Sequence, residues 1–391
     1  MSIAAKETVL VRGRLYGEGR RLDVKIRNGT VRSVRNAGRS APDFGGDDAI
    51  LAPTLFDIQV NGGFGIDLQS PDITVDGVIE LTAKLHAWGV SRWCPTIITN
   101  DLDVMAKNCR TSTQAMDVPL GRRAIPGLHL EGPFISPEDG ARGAHRRECV
   151  RPPSLKDFEY LYEAASGGVL YMTLAPERPG ALEVIRAARG HGVAISLGHH
   201  AASREDISAA AKAGATLCTH LGNAISTTLH RHNNPLWPQL ADSRLAISLL
   251  ADGHHLPADV LKTFVRAKGI DSVVLTSDAT HLAGLKPGRY DLAGVSVELK
   301  ANGLISLVGT EMLAGSSAML LECVERASNA AEIPLEAAVR CASAVPARLF
   351  RLRTASGSPR EGRRADFVVF HARRGKIRPE VSFVRGVRYM I

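Results

Sequence analysis

No stretch of 18 or more apolar residues occurs in the 391-residue chain, so no membrane-spanning helix is expected. The opening "MSIAAKETVLVRGRLYGEGRRLDV" lacks the apolar core of a secretory signal. Six cysteines stand singly, at Cys94, Cys109, Cys149, Cys218, Cys323 and Cys341, with no C-x-x-C pair. That spacing argues against a disulfide framework and for a reduced, cytoplasmic setting. Aromatic residues make up only 5% of the chain. The net charge is +8, but the basic residues are dispersed and not interleaved with aromatics. A solvated basic surface is therefore expected, not a nucleic-acid site. No G-x-G-x-x-G follows the first apolar strand, which argues against an open dinucleotide-binding sheet.

What is present is ordinary globular composition, 45% hydrophobic and 23% charged. The N-terminal stretches "TVLVRGRLYG" and "RLDVKIRNGTVRSVRN" alternate apolar with polar residues, and "RNGT" is a hairpin signal. The C-terminal "RRADFVVFHARRGKIRPEVSFVRGVRYMI" reads the same way. The two ends, 1–52 and 353–391, are predicted to build one small β-sandwich domain. Between them, over 53–352, eight short apolar runs alternate with amphipathic stretches such as "DGVIELTAKLHAWG" and "SREDISAAAKAG". Eight such repeats predict a (β/α)8 TIM-like barrel.

In such a barrel the chemistry sits at the C-terminal ends of the strands. The third run ends at Glu131, the fifth at His199 and His200, the sixth at His220. The seventh leads to His254 and His255, and the eighth ends at Asp278. The bland reading of Glu131 is a rim carboxylate paired with an arginine; buried, it would need a cation or donors. Glu131, His199 and His220 together form the open three-ligand set of a hydrolytic metal site. His200 points the opposite way by strand alternation and reads as structural. Asp278 reads as the general acid/base, against the plainer reading of a helix N-cap. His254 and His255 compete for contact with a substrate carbonyl or phosphate, and the sequence does not choose between them. On the first run, "DIQVNGG", alternation puts Asp57, Gln59 and Asn61 on one face, and only the aspartate would readily bind a metal.

The blocks "GLHLEGPF", "SLGHH", "THLGNAI", "ADGHH", "LTSDAT" and "GTEMLAGSS" occur in an order and spacing that resembles the amidohydrolase superfamily. More narrowly they resemble the N-acetylglucosamine-6-phosphate deacetylases. The tail "GSPREGRRADFVVF" resembles a strand pair of the superfamily's small β domain. The resemblance implies a hydrolase that removes acetate from an N-acetylated amino sugar phosphate, N-acetylglucosamine 6-phosphate first. It implies one divalent metal per subunit, zinc first, with iron, cobalt and manganese suited to the same donors. It makes Glu131, His199 and His220 the metal ligands, Asp278 the acid/base and His255 the contact to the substrate carbonyl. Asn223 and Ala224 resemble a phosphate-contacting turn. Arg231 falls where family members place a phosphate-binding arginine, in some cases across a dimer, and His145 resembles a histidine near the sugar. A homodimer acting on a small amino sugar phosphate is the implied assembly.

Many superfamily members carry D-x-H-x-H-G on the first strand, and those histidines hold a second metal. Here Gln59 and Asn61 replace both, so the face reads as a relic turned to hydrogen bonding. Two departures stand out: "NAIS" and "HRHNNPLWPQL" where N-A-M-P and H-R-E-P-G are usual, and "APTLFDIQ" where P-G-F-I-D is usual. The first keeps open a different N-acyl or cyclic amide substrate. A non-catalytic scaffold on the same fold is the remaining alternative, opposed by the complete ligand set.

Overall fold

A computed structural model describes residues 8–353 and 357–391. Eight strands form one parallel sheet in chain order: Leu55–Val60, Val90–Ile98, Leu128–Glu131, Val169–Leu174, Ala194–Leu197, Ala215–Cys218, Ala246–Leu250 and Val273–Thr276. The sheet closes just beyond the ends of its outer members. Asp278 N donates to Gln59 O at 3.1 Å and Asn61 N to Ala279 O at 2.7 Å. The barrel is thus sealed by the backbone of the residues singled out above.

The helices between the strands follow from local sequence. Thr74 caps Val75–Ala87 by accepting from Gly77 N, and Val78, Leu81 and Leu85 face inward. Ser203 and Asp206 form a capping box at the start of Arg204–Ala213. These faces join the outside of the barrel in one core that includes Trp93, Phe134 and Phe158, all fully buried. No helix among the described residues is long and apolar enough to cross a membrane.

The chain ends do combine. Thr8–Leu15, Arg21–Arg27, Thr30–Asn36 and Phe44–Ala52 share a seven-stranded sheet with Phe367–Arg373, Lys376–Val384 and Val387–Met390. Phe44–Ala52 pairs with Thr8–Leu15 on one side and Phe367–Arg373 on the other. The sheet folds over on itself, because Val31 N donates to Arg363 O beyond the pairing of Thr30–Asn36. That fold encloses Val11, Val24, Leu51, Phe367 and Phe383 as a second core. Of the expected segments, 1–7 and 354–356 lie outside the described residues.

One element was not anticipated from the sequence. Between the eighth strand and the helix Leu320–Ala330, the strands Gly288–Leu292, Val295–Leu299 and Ile305–Leu307 form an antiparallel meander. It has its own small core of Leu282, Leu292, Val297, Leu299, Ile305 and Ala314.

Candidate active site

At the C-terminal mouth of the barrel three side chains converge. His220 Nε2 lies 3.1 Å from Glu131 Oε1, and His199 Nε2 lies 3.4 Å from the same oxygen. The two imidazole nitrogens are 3.1 Å apart. All three residues are buried. His199, His220 and Asp278 each adopt positive φ, at 52°, 29° and 50°, immediately past their strands. This conformation is uncommon for residues other than glycine and clusters at functional sites.

The donor set fits a metal. His199 Nδ1 donates to Arg142 O at 3.2 Å, which orients the ring with Nε2 aimed at the cluster. Two imidazole nitrogens and a carboxylate oxygen then converge, all within 4.8 Å of one another. Burial alone would raise the Glu131 carboxyl, yet hydrogen bonds and charge from His199 and His220 hold it well below the usual carboxylate range. Burial likewise opposes charge on His220, but Glu131 raises its pKa.

Asp278 faces this cluster across Gln59. Gln59 Nε2 donates to Glu131 Oε1 at 2.9 Å and to Asp278 Oδ1 at 3.0 Å, and Asn61 Nδ2 donates to Asp278 Oδ1 at 2.7 Å. Asp57 lies apart from them: its Oδ1 accepts from Thr276 Oγ1 and Ser277 N, which braces the eighth strand. Burial and the Glu131 charge push the Asp278 carboxyl up to about 7, against the pull of His220, His255 and the Asn61 bond.

These groups line a cavity of about 650 Å³, an ordinary size for a small-molecule site. Residues 50–386 match a family model described as "Amidohydrolase family". The chain belongs to the amidohydrolase family. It is 36% identical over 338 residues to the N-acetylglucosamine-6-phosphate deacetylase of Bos taurus, covering 84% of this chain and 80% of the relative. It is 31% identical over 323 residues to an N-acetylgalactosamine-6-phosphate deacetylase of Escherichia coli O157:H7, covering 82% and 84%. A solved N-acetyl-D-glucosamine-6-phosphate deacetylase mutant from Mycobacterium smegmatis, in complex with N-acetyl-D-glucosamine-6-phosphate, superposes with a TM-score of 0.86. That match covers 98% of this chain and all of the other at 25% identity.

The remaining expected residues of this amidohydrolase separate into two groups. His255, Asn223, Ala224 and His145 all line the cavity. His255 Nδ1 pairs with Asp252 Oδ2 at 2.7 Å, and His255 N and His254 N both donate to Asp252 Oδ1. His254 has its Nε2 on Asn302 O, and of the two histidines only His255 lines the cavity. Asn223 Nδ2 is buried and has no partner among the described residues. His145 packs edge-on against His199, with 3.3 Å between their Nε2 atoms. His200 is buried away from the cavity, its Nε2 3.3 Å from Gln239 Oε1.

Arg231 does not enter the cavity of its own chain. It is exposed, on a loop where its carbonyl accepts from Trp237 Nε1 and His230 O accepts from Asn234 Nδ2. The sequence reading did not single out Asp252, which holds His255, or the cavity wall formed by Leu292, Ala293 and Val295. Asp252 sits in the quoted "ADGHH", so its three-residue spacing to His255 was available as a signal. The wall comes from the inserted meander, and no motif marked it.

Proposed function

We propose that this chain hydrolyses the acetamide of an N-acetylhexosamine 6-phosphate, with N-acetylglucosamine 6-phosphate the first substrate to try. The observation that carries the reading is the Gln59 amide that joins Asp278 to Glu131 of the Glu-His-His cluster. It sets an acid/base group beside a hydrolytic donor set. The deacetylase relatives and the cavity's size support it.

In this reading Glu131, His199 and His220 hold one divalent metal, zinc in the first instance, with iron, cobalt and manganese suited to the same donors. Such an ion supplies carbonyl polarisation and acidification of the attacking water. Asp278 accepts the proton of that water. Its Oδ1 already takes hydrogen bonds from Gln59 and Asn61, so Oδ2 is the proton carrier. His255, held through Nδ1 by Asp252, presents Nε2 to the oxygen of the acetyl group and stabilises its developing charge. As the C–N bond breaks, Asp278 delivers the proton to the departing nitrogen, leaving acetate and the amino sugar. Asn223 and Ala224 contact the sugar-phosphate portion, and His145 lies beside His199 at the sugar. The reading includes a homodimer in a reducing cytoplasm, in keeping with six buried, unpaired cysteines.

The test is acetate release from N-acetylglucosamine 6-phosphate, N-acetylgalactosamine 6-phosphate and the unphosphorylated sugars, with each metal added and after chelation. Chelator-sensitive release from a 6-phosphate supports the reading; no release from any of them with any metal refutes it.

A further inference from the structure

We propose that a recess between the barrel and the β domain binds one small inorganic anion, which links the two. The recess shares no lining residue with the cavity described above. It lies at the opposite rim of the barrel, beside Leu55 and Ser91 at the starts of the first two strands. In this fold that rim serves stability and not chemistry. Its charged lining comes from both domains. Arg92 stands on the strand Val90–Ile98 and Arg123 on the short helix Gly121–Ala124, whereas Asp366 and Arg385 belong to the β domain.

The charges of this lining do not balance. Three guanidiniums stand around a single carboxylate, and none of the three forms a salt bridge among the described residues. Asp366 instead accepts a long backbone bond, from Arg385 N at 3.4 Å. Arg92 Nη1 is spent on a neutral group, the Arg353 carbonyl. Burial and the Arg385 charge push the Arg92 guanidinium below its usual range, and only Asp366 pulls the other way. A half-buried cation beside a like charge is costly unless an opposite charge is supplied. An anion among the three arginines supplies it through charge-assisted N–H bonds.

The size of the recess limits the ion. It offers about 20 Å³, against the roughly 10–15 Å³ that one water-sized atom requires. One chloride fits inside, or one oxygen of a phosphate whose other oxygens stay in solvent. A sugar or a nucleotide base does not fit. Arg92 is half-buried while Arg123 and Arg385 are exposed, so an ion can enter without parting the domains. An ion that binds only the folded chain raises its stability by mass action.

The experiment measures thermal midpoints of wild type, Arg92→Gln, Arg385→Gln and Arg35→Gln at constant pH and ionic strength. Arg35 is an exposed β-domain arginine outside the recess. Sodium gluconate, whose anion is too large for the recess, is replaced stepwise by chloride or by inorganic phosphate. The wild-type midpoint is expected to rise with chloride and to saturate, by about 1–3 °C for a chain of this length. Arg35→Gln should keep the rise, and Arg92→Gln and Arg385→Gln should lose it. In gluconate Arg385→Gln should melt no lower than wild type, because its removal relieves Arg92. A phosphate rise that is lost in the same two variants shows that the recess takes an oxyanion as well; one that persists in them belongs to another site and leaves chloride as the ion. The inference is overturned by equal chloride rises in wild type and both recess variants, by no rise over gluconate in wild type, or by a lower midpoint of Arg385→Gln in gluconate.

Discussion

Gln59 Nε2 lies 3.0 Å from Asp278 Oδ1, and the same nitrogen lies 2.9 Å from Glu131 Oε1. Two buried carboxylates so close repel each other, and an amide between them offers each a proton without adding charge. Asn61 adds a second donor to Asp278 Oδ1. Gln59 and Asn61 thus serve as a hydrogen-bonding brace for Asp278, the proposed acid/base group.

The first expected outcome concerns stoichiometry. Amides are poor ligands beside imidazoles, so metal analysis after dialysis should find about one equivalent per subunit. Gln59→His combined with Asn61→His should raise the metal content and lower activity, because Asp278 loses both side-chain donors. Two tightly held equivalents in the wild type would contradict the brace.

Asp278→Asn keeps the shape and removes both base and acid. Turnover should fall by at least about 10²–10⁴-fold, the usual contribution of one such group, with metal content near normal. A variant with almost unchanged turnover would assign the proton transfer elsewhere.

Asp252 is expected to act through His255. Burial would raise its carboxyl, but the His255 bond and charge hold it down to about 2, so it stays an acceptor across the working range. Asp252→Asn keeps an oxygen for the two backbone donors but can turn an NH₂ group toward His255 Nδ1. The imidazole should then lose its orientation, and kcat should drop about 10²-fold or more, as when other histidine-orienting carboxylates are removed. Metal content should be unchanged. Equal losses of kcat and metal would instead indicate a collapsed site.

His86 lies far from the cluster, at the contact between the barrel and the β domain. Its Nδ1 bonds Val90 O at 2.8 Å, and its ring meets Tyr389 edge-on. Burial lowers its pKa from 6.5 to about 4. Above pH 6.5 the ring is neutral in both folded and unfolded chains. As pH falls toward 4, only the unfolded chain takes up the proton, so stability drops by up to ~3 kcal/mol. The thermal midpoint of wild type should therefore fall faster between pH 7 and 4.5 than that of His86→Gln. Parallel falls would remove His86 as a source of acid lability.

The sequence by itself determined the barrel, because eight apolar runs spaced by amphipathic stretches can bury their surfaces only by alternating strand with helix. It also determined the rim positions of Glu131, His199, His220 and Asp278, since each directly ends or follows an apolar run, and the shared face of Gln59 and Asn61 through the two-residue repeat of a strand. Only the tertiary structure decided the rest. Adjacent His254 and His255 differ in placement because Asn302, from the inserted meander, takes one ring and Asp252 takes the other. Arg231 sits on an irregular loop, where no periodicity fixes direction, and it lies exposed, outside the cavity of its own chain. Strand and helix periods are local properties of the chain, but the direction of a loop depends on what packs against it from distant sequence.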